Sequence, residues 1–294
     1  MGNIAATNPR QGQSLTDQLP HLNTVEIDNS IAPHAECQLL DANNSSLRVI
    51  EFNAERGRWW LESAHLLRDY DVIILNEMDI GMARSDQQHT TRLLANYLGM
   101  NYAWGLEFVE LTNGNQDDRD VTAGYSNDYG LHGNAFLTRC EISDPLIFRD
   151  KVGLYFSNKQ IGLNAGGLEK RLGGRMGMFG RIVVNGKSLV IGSVHKIGGS
   201  QKEIYNYIGS SPAIVAGDQN PQFCGQVGLQ PIVSSKQHYT WPATCTGNGR
   251  GRGDNLCSNL PMVETEKTIS PCIREYGQQW VVSDHALTWT GLGI

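Results

Sequence analysis

After residue 46 the chain falls into short apolar stretches of strand or helix length, separated by Gly, Pro, Asn and Asp. Residues 47–53 (LRVIEFN) set Leu47, Val49 and Glu51 against Arg48, Ile50 and Phe52, a strand ending in a polar residue. Trp60, Ala64 and Leu67 recur at i, i+4 and i+7, which predicts an amphipathic helix over 58–69. Residues 71–77 (DVIILNE) read as a buried strand with an acid at its C-terminal end. Ser85 to Gln88 fits a capping box, with a helix expected through Leu93, Leu94, Tyr97 and Leu98 to Gly99. Strands follow over 101–111, 134–139, 180–185 and 188–195, with a polar loop over 112–130 and a hairpin marked by Gly186. A short helix over 200–208 precedes PAIVAGDQN, residues 212–220. There an apolar run suited to a strand covered on both faces ends in a turn at Gly217. Residues 221–279 are loop-rich with Trp241 and Trp280 as packing anchors, and strands flank His285 over 280–284 and 286–290.

This mixture of helices, strands and hairpins favours mixed sheets covered by helices over a strict βαβ repeat. No internal repeat and no dividing linker is visible, so 47–294 reads as one domain. Residues 1–46, polar and interrupted by Pro9, Pro20 and Pro33, read as an extended or partly disordered arm.

Composition narrows the class. Of 294 residues, 40% are apolar and 18% charged, as in ordinary soluble globular proteins, and no apolar run is long enough for a membrane helix. The start, MGNIAATNPRQGQ, has no apolar core, so no signal peptide is expected, and Ala6 stands where myristoylation requires Ser or Thr. The net charge of -6 argues against tight, sequence-blind gripping of duplex nucleic acid. The average hides an asymmetry. Residues 149–202 hold ten Lys/Arg against two acids, a local excess of +8 that leaves -14 for the remainder. Such a segment is either a solvated face or the wall of a site for an anionic substrate. The six cysteines form no CxxC pair, which excludes a zinc knuckle of that type, and four lie in polar sequence that hints at disulfides. Asn43 and Asn44 fit the glycosylation sequon, which leaves the compartment open.

The chemistry gathers where strands end. Asn53 ends the first strand, with Glu55 two residues on, and Glu77 ends the second. His195 ends LVIGSVH, Asp218 and Asn220 end PAIVAGDQN, Asp254 lies in GRGDN, and Asp284 and His285 end WVVSDH. Strand ends on one sheet edge converge on one crevice, where ligands of such folds often sit. Asp218 and Asn220, two apart, offer a carboxylate for a proton or a metal and an amide for an oxyanion, although Gly, Asp and Asn also make plain turns.

The ordered set N…E…H…GDxN…D…SDH resembles the endonuclease/exonuclease/phosphatase superfamily over residues 47–294. That resemblance implies a four-layered α/β sandwich with two central mixed β-sheets flanked by helices, and hydrolysis of phosphoesters with a divalent metal, Mg²⁺ or alternatively Mn²⁺ or Ca²⁺. Residue by residue, it implies Glu77 as main metal ligand with Asn53 beside it, Asp284 as a metal-side carboxylate and Glu55 as a second acid or a surface residue. His285 would contact the phosphate or activate water, with Asp254 fixing its tautomer. Asp254 lies in GNGRGRGDNLCSN, which departs from the family's R-I-D-Y-type strand. Asp218 would polarise the attacking water, Asn220 would hold the phosphate, and His195 would donate to a non-bridging oxygen. His132 and Asn134 fall near where the deoxyribonuclease branch has an acid supporting its first histidine. Those two and Arg175 are candidate substrate contacts with structural alternatives, and Arg139 is expected to anchor a strand end.

The inositol phosphatase signature is missing from GDQNPQF and WPATCTGNGRGRGDN. A Tyr-rich abasic-site loop is not clear, and Leu154-Tyr155-Phe156 is only a weak match to a membrane-facing hairpin. The +8 segment therefore favours a polyanion, and a nuclease leads, with the oligomeric state open and a monomer as the default. A phosphodiesterase on a small or lipid phosphoester is the alternative. A catalytically silent binding module of the same fold is the alternative of another class.

Overall fold

The computed structural model describes residues 20–32, 37, 39, 40, 45–150, 171–220, 222–232, 254–275, 278–281, 283, 285 and 287–294. In chain order its elements are β1 (Val25–Asp28), β2 (Ser46–Asn53), α1 (Trp60–Leu67), β3 (Val72–Ile80), α2 (Thr90–Leu98), β4 (Asn101–Glu110), α3 (Gln116–Val121) and β5 (Leu131–Thr138). Next come β6 (Ser143–Arg149), β7 (Arg171–Gly173), β8 (Met176–Val184), β9 (Lys187–His195), α4 (Gln201–Ile208), β10 (Ala213–Asp218) and α5 (Phe223–Gln226). The last are β11 (Gln230–Pro231), β12 (Asp254–Ser258), β13 (Met262–Ile269), β14 (Cys272–Glu275), β15 (Gln278–Val281) and β16 (Leu287–Gly293).

Two mixed sheets pack face to face. The first runs β1-β4-β5-β3-β2-β16-β13 with β7 added on β4, and the second runs β11-β12-β10-β9-β8-β6. Strand alternation explains the stacking. In β2, Ile50 and Phe52 point outward into a core shared with Leu67 of α1 and Leu94 of α2. Leu47 and Val49 point inward, against Ile191, Ile214 and Leu256 of the second sheet. Val190 and Val215 then face out to Ile204 and Ile208 of α4 and Phe223 of α5. Three apolar seams thus separate four layers, the predicted α/β sandwich. Each fully buried Ile or Phe contributes about 1.5–3 kcal/mol. By the same period of two, Glu51 and Asn53 fall on the inward face of β2.

Local signals explain several boundaries. Asn185 and Gly186, both at positive φ (51° and 72°), make the two-residue turn between β8 and β9, as Gly186 predicts. Gly99 closes α2 in the left-handed conformation.

Three expectations need correction. The cap of α2 is His89, whose Nδ1 accepts from Arg92 N at 3.2 Å. Ser85 instead lies in a 3-10 turn with its hydroxyl donating to Met82 O and Asp79 Oδ2. The loop 112–130 contains α3, opened by a capping box between Asn115 and Asp118. Glu77 does not end a strand: β3 continues to Ile80, and a bulge interrupts it. Leu75 pairs with Ala135 and Met78 with Gly133, so Asn76 and Glu77 together oppose Asn134.

The described residues before residue 47 pack onto the domain. β1 adds to the edge of β4, and Cys37 is disulfide-bonded to Cys140. A second disulfide, Cys224–Cys257, ties α5 to β12, and Cys272 is also disulfide-bonded. Trp241, the two sequons at Asn43 and Asn44, and Leu154-Tyr155-Phe156 lie outside the described residues. No described helix is long and apolar enough to cross a membrane.

Candidate active site

The site lies where one edge of each sheet meets the other. β2 brings Asn53, the β3 bulge brings Glu77 and β4 brings Glu107. The second sheet brings His195 at the end of β9, Asp218 at the end of β10 and Asp254 at the start of β12. His285 precedes β16 and returns to the first sheet. Adjacent parallel strands β9 and β10 place His195 and Asp218 side by side.

Each histidine is held by a carboxylate from the opposite sheet. His195 Nδ1 lies 2.8 Å from Glu107 Oε2. His285 Nδ1 lies 2.8 Å from Asp254 Oδ2 and 3.1 Å from Oδ1. Donation from Nδ1–H in each pair leaves Nε2 as the nitrogen for other chemistry. His195 Nε2 is 3.6 Å from Asp218 Oδ2 and 3.9 Å from Glu77 Oε1, so one imidazole links the two carboxylates. His285 is further fixed through its backbone N–H, which donates to Ser283 Oγ at 3.0 Å, while that hydroxyl donates to Asn53 O at 2.6 Å.

Charge explains the protonation pattern. Burial would raise the Glu77 carboxyl, but Arg56, His195, His132 and His285 together hold it well below the usual range. Burial likewise opposes ionisation of Glu107, and His195 and Arg175 overcome it and bring its pKa down to about 2. Burial and Arg175 lower His195, yet Glu107 and Asp218 outweigh them and leave it raised. Asp218 is opposed by burial and held down by His195 and Lys196. Glu51 is the exception. It is fully buried, takes no hydrogen bond from a described donor, and burial with the charges of Asp254 and Asp218 pushes its carboxyl well above the usual range.

The remaining expected residues sort by position. Asn53 Nδ2 donates to Glu77 Oε1 at 3.3 Å, and its oxygen accepts from the Glu55 backbone at 3.1 Å, so Asn53 orients Glu77. Asn220 is exposed beside Asp218, its amide donating to Gln219 Oε1 at 3.1 Å. Arg175 Nη1 donates to Glu107 Oε1 at 2.9 Å and sits 2.8 Å from His195 Nε2, inside the site. His132 and Asn134 need correction as substrate contacts. His132 is buried against Asp79 at 2.8 Å and Arg84 at 3.2 Å. Asn134 is buried, accepting from Asn76 and donating to Met176 Sδ, because β5 is an interior strand. Arg139 does anchor a strand end, donating to Arg68 O at 3.2 Å. Asp284 lies outside the described residues.

Sequence reasoning passed over Glu107, Asn76 and Lys196. Asn76 joins the sheets: its amide donates to Ser193 Oγ and Asn134 Oδ1, each at 3.1 Å, and its oxygen accepts from Asp218 N at 2.6 Å. Gly217 permits this approach, because a Cβ there would meet Val194 O at 1.9 Å and Asn76 Oδ1 at 2.6 Å. The glycine before Asp218 was the visible trace of that contact.

No family model matches the sequence, and no curated protein matches it. Solved structures do match. An endonuclease/exonuclease/phosphatase from Beutenbergia cavernae DSM 12333 is 14% identical at a TM-score of 0.52, over 85% of this chain and 72% of that one. A family protein from Bacteroides thetaiotaomicron is 15% identical at 0.52, over 84% and 97% of the two chains. One from Leptotrichia buccalis C-1013-b is 15% identical at 0.51, over 84% and 100%. The chain has the endonuclease/exonuclease/phosphatase fold. The resemblance read from the sequence is therefore matched at the level of fold.

The family resemblance read from the sequence implies a divalent cation with Glu77 as its main ligand. The Glu77 carboxyl is held well below the usual range, and its side chain keeps 22% exposure. Among the described residues no three His, Cys, Asp or Glu side chains group together.

Proposed function

We propose that this protein is a divalent-metal-dependent phosphodiesterase that cleaves its substrate by in-line attack of water. The observation that carries the reading is the pair of cross-sheet histidines, His195 on Glu107 and His285 on Asp254, flanking Asp218. A structural role would not need two imidazoles held in one tautomer with Nε2 free of their carboxylates.

Asp218 accepts the proton of the attacking water. The water oxygen forms its bond to phosphorus as the bond to the leaving oxygen breaks. His195 and His285 donate from Nε2 to oxygens of the phosphoryl group, and their carboxylates hold the imidazolium charge. Asn220 adds an amide from the exposed turn. Glu77, oriented by Asn53, would hold the cation, with Asp284 as a further proposed ligand. The cation would supply charge neutralisation at the phosphoryl oxygens.

Nucleic acid is the first substrate to test, because the similar structures belong to a group that includes endonucleases and exonucleases beside phosphatases. One observation supports a small or lipid phosphodiester instead. The basic segment does not present its arginines as one face. Arg149 donates to Gly174 O and Leu106 O at 2.7 and 2.6 Å, and Arg171 and Arg175 bind Glu110 and Glu107. The decisive experiment is cleavage of plasmid DNA and of bis(4-nitrophenyl) phosphate with Mg²⁺ or Mn²⁺, using EDTA and His195→Ala as controls. Turnover lost in both controls is expected. A protein that binds a divalent cation yet turns over neither these nor any phosphoester of a broad panel would overturn the enzyme reading in favour of a binding module.

A further inference from the structure

Lys196 follows His195 and has not entered the mechanism above. Its backbone sits at φ 46°, the left-handed region that a lysine rarely adopts. The strain has a visible consequence. With the chain bent there, Lys196 N donates to Asp218 O at 2.8 Å and Nζ lies 2.9 Å from Asp218 Oδ2. Lys196 thus doubles back onto the next strand and covers the carboxylate of Asp218 from the solvent side.

Stability does not account for the arrangement. The lysine side chain is 55% exposed, and an ion pair so placed contributes less than a left-handed non-glycine residue costs. Asp218 does not depend on it for ionisation either, because His195 Nε2 lies within 3.6 Å of the same oxygen. What Lys196 adds is a mobile cation on a flexible stem at the mouth of the site. Three other non-glycine residues around the same cleft, Glu55, Arg56 and Glu77, are also at positive φ (44°, 72° and 61°). Strain of this kind gathers where side chains must be aimed.

We propose that Lys196 is a substrate-binding residue whose ammonium passes from Asp218 to a phosphoryl oxygen of the incoming substrate, uncovering the Asp218 carboxylate. The inference rests on the phosphodiesterase reading for its role in turnover, but the phosphate contact itself can be measured without turnover. A phosphoryl group offers the ammonium a second anion close to the first. The move costs little reorganisation, because Nζ remains at the same cleft mouth. Lys196 would then report the presence of phosphate to the residue that takes the proton.

The test uses the full chain with inorganic phosphate as probe, by titration calorimetry, beside steady-state kinetics on bis(4-nitrophenyl) phosphate. The variants are Lys196→Met and Lys196→Arg, with thermal unfolding as the folding check. The expected result is at least a tenfold loss of phosphate affinity in Lys196→Met and near-native affinity in Lys196→Arg. KM should rise more than kcat falls. Native phosphate affinity in Lys196→Met, or no phosphate binding by the unaltered protein, overturns the proposal even if the protein is an active phosphodiesterase. Phosphate binding that depends on Lys196 in a protein with no turnover leaves the contact standing and removes the enzymatic reading instead.

Discussion

Two clusters of buried charge, one on the first sheet and one between the two sheets, are built differently. Around Arg84 the charges are paired directly. Arg84 donates to Asp79 at 2.8 and 2.9 Å and to Asp118 at 3.2 Å, with Glu110 at 3.7 Å. Arg171 covers Glu110 from the other side, and Arg56 lies 3.2 Å from Asp118. His132 is absorbed into this network through Asp79. Around His195 and His285 each imidazole has one nitrogen held by a carboxylate, and Glu77 keeps a partly exposed side chain. The first cluster clamps loops 81–89 and 112–130 to the sheet. The second joins the two sheets and leaves Glu77 partly exposed. Burial of charge is thus common to both clusters, and the second is set apart by the pairing of each histidine with a carboxylate of the opposite sheet.

The comparison is broken most sharply by single substitutions, one in each cluster. His195→Ala or His285→Ala should lower phosphodiester turnover by roughly 10²–10⁴-fold with little change in the unfolding midpoint. Arg84→Met should do the reverse. It should cost about 3–5 kcal/mol of stability by leaving the buried Asp79 without its guanidinium, read by denaturant unfolding at saturating metal. Equal effects of both substitutions on both readouts would erase the distinction. Next in size, Cys224→Ala with Cys257→Ala should cost about 2–4 kcal/mol. This disulfide spans 33 residues and ties the turn after Asn220 to the strand of Asp254, so turnover should fall at temperatures well below unfolding.

A smaller change sharpens the site itself. Glu107→Gln keeps the shape beside His195 but removes the charge that favours its imidazolium. It should reduce turnover by about 10–100-fold and shift the pH profile of kcat/KM, while the Arg84 cluster stays intact by unfolding. The smallest effect concerns a third group, away from both clusters. Hydrogen bonds from His89, Tyr102 and Arg92 overcome burial and bring Glu26 down from 4.5 to about 2. A lowered folded pKa means stabilisation present above about pH 4.5 and lost as the pH falls toward 2. Glu26→Gln should flatten that acid limb by less than about 1 kcal/mol, because the pair is partly exposed. Parallel acid limbs in the variant and the unaltered protein would refute the assignment.

Much of the site was legible. His195, Asp218, Asp254 and His285 each stand where a strand meets a loop, and their neighbours in sequence signal those ends. Glu77 was singled out by its type, but it lies within β3 and not at its end, and the bulge that aims it was hidden. A bulge changes the count on one strand only against its partner, and the partner, Asn134, lies 57 positions away in the chain. For His132 the chain alone left a substrate contact and a structural role open, and Asp79 and Arg84 close over it from β3 and the following turn. Charge counted along the basic segment says nothing of direction. Arg149, Arg171 and Arg175 turn inward to carbonyls and carboxylates.

The sequence by itself determined which stretches are strands, which face of each is apolar and where polar groups interrupt them, because alternation and turn chemistry act over a few residues. Sheet order and register decided the rest. His195 meets Glu107 across 88 residues and His285 meets Asp254 across 31, each pair bridging the two sheets. Nothing near either histidine in the chain selects its carboxylate. The selection follows from packing the two sheets face to face on Leu47, Val49, Ile191 and Ile214, which brings strand ends of one sheet against those of the other.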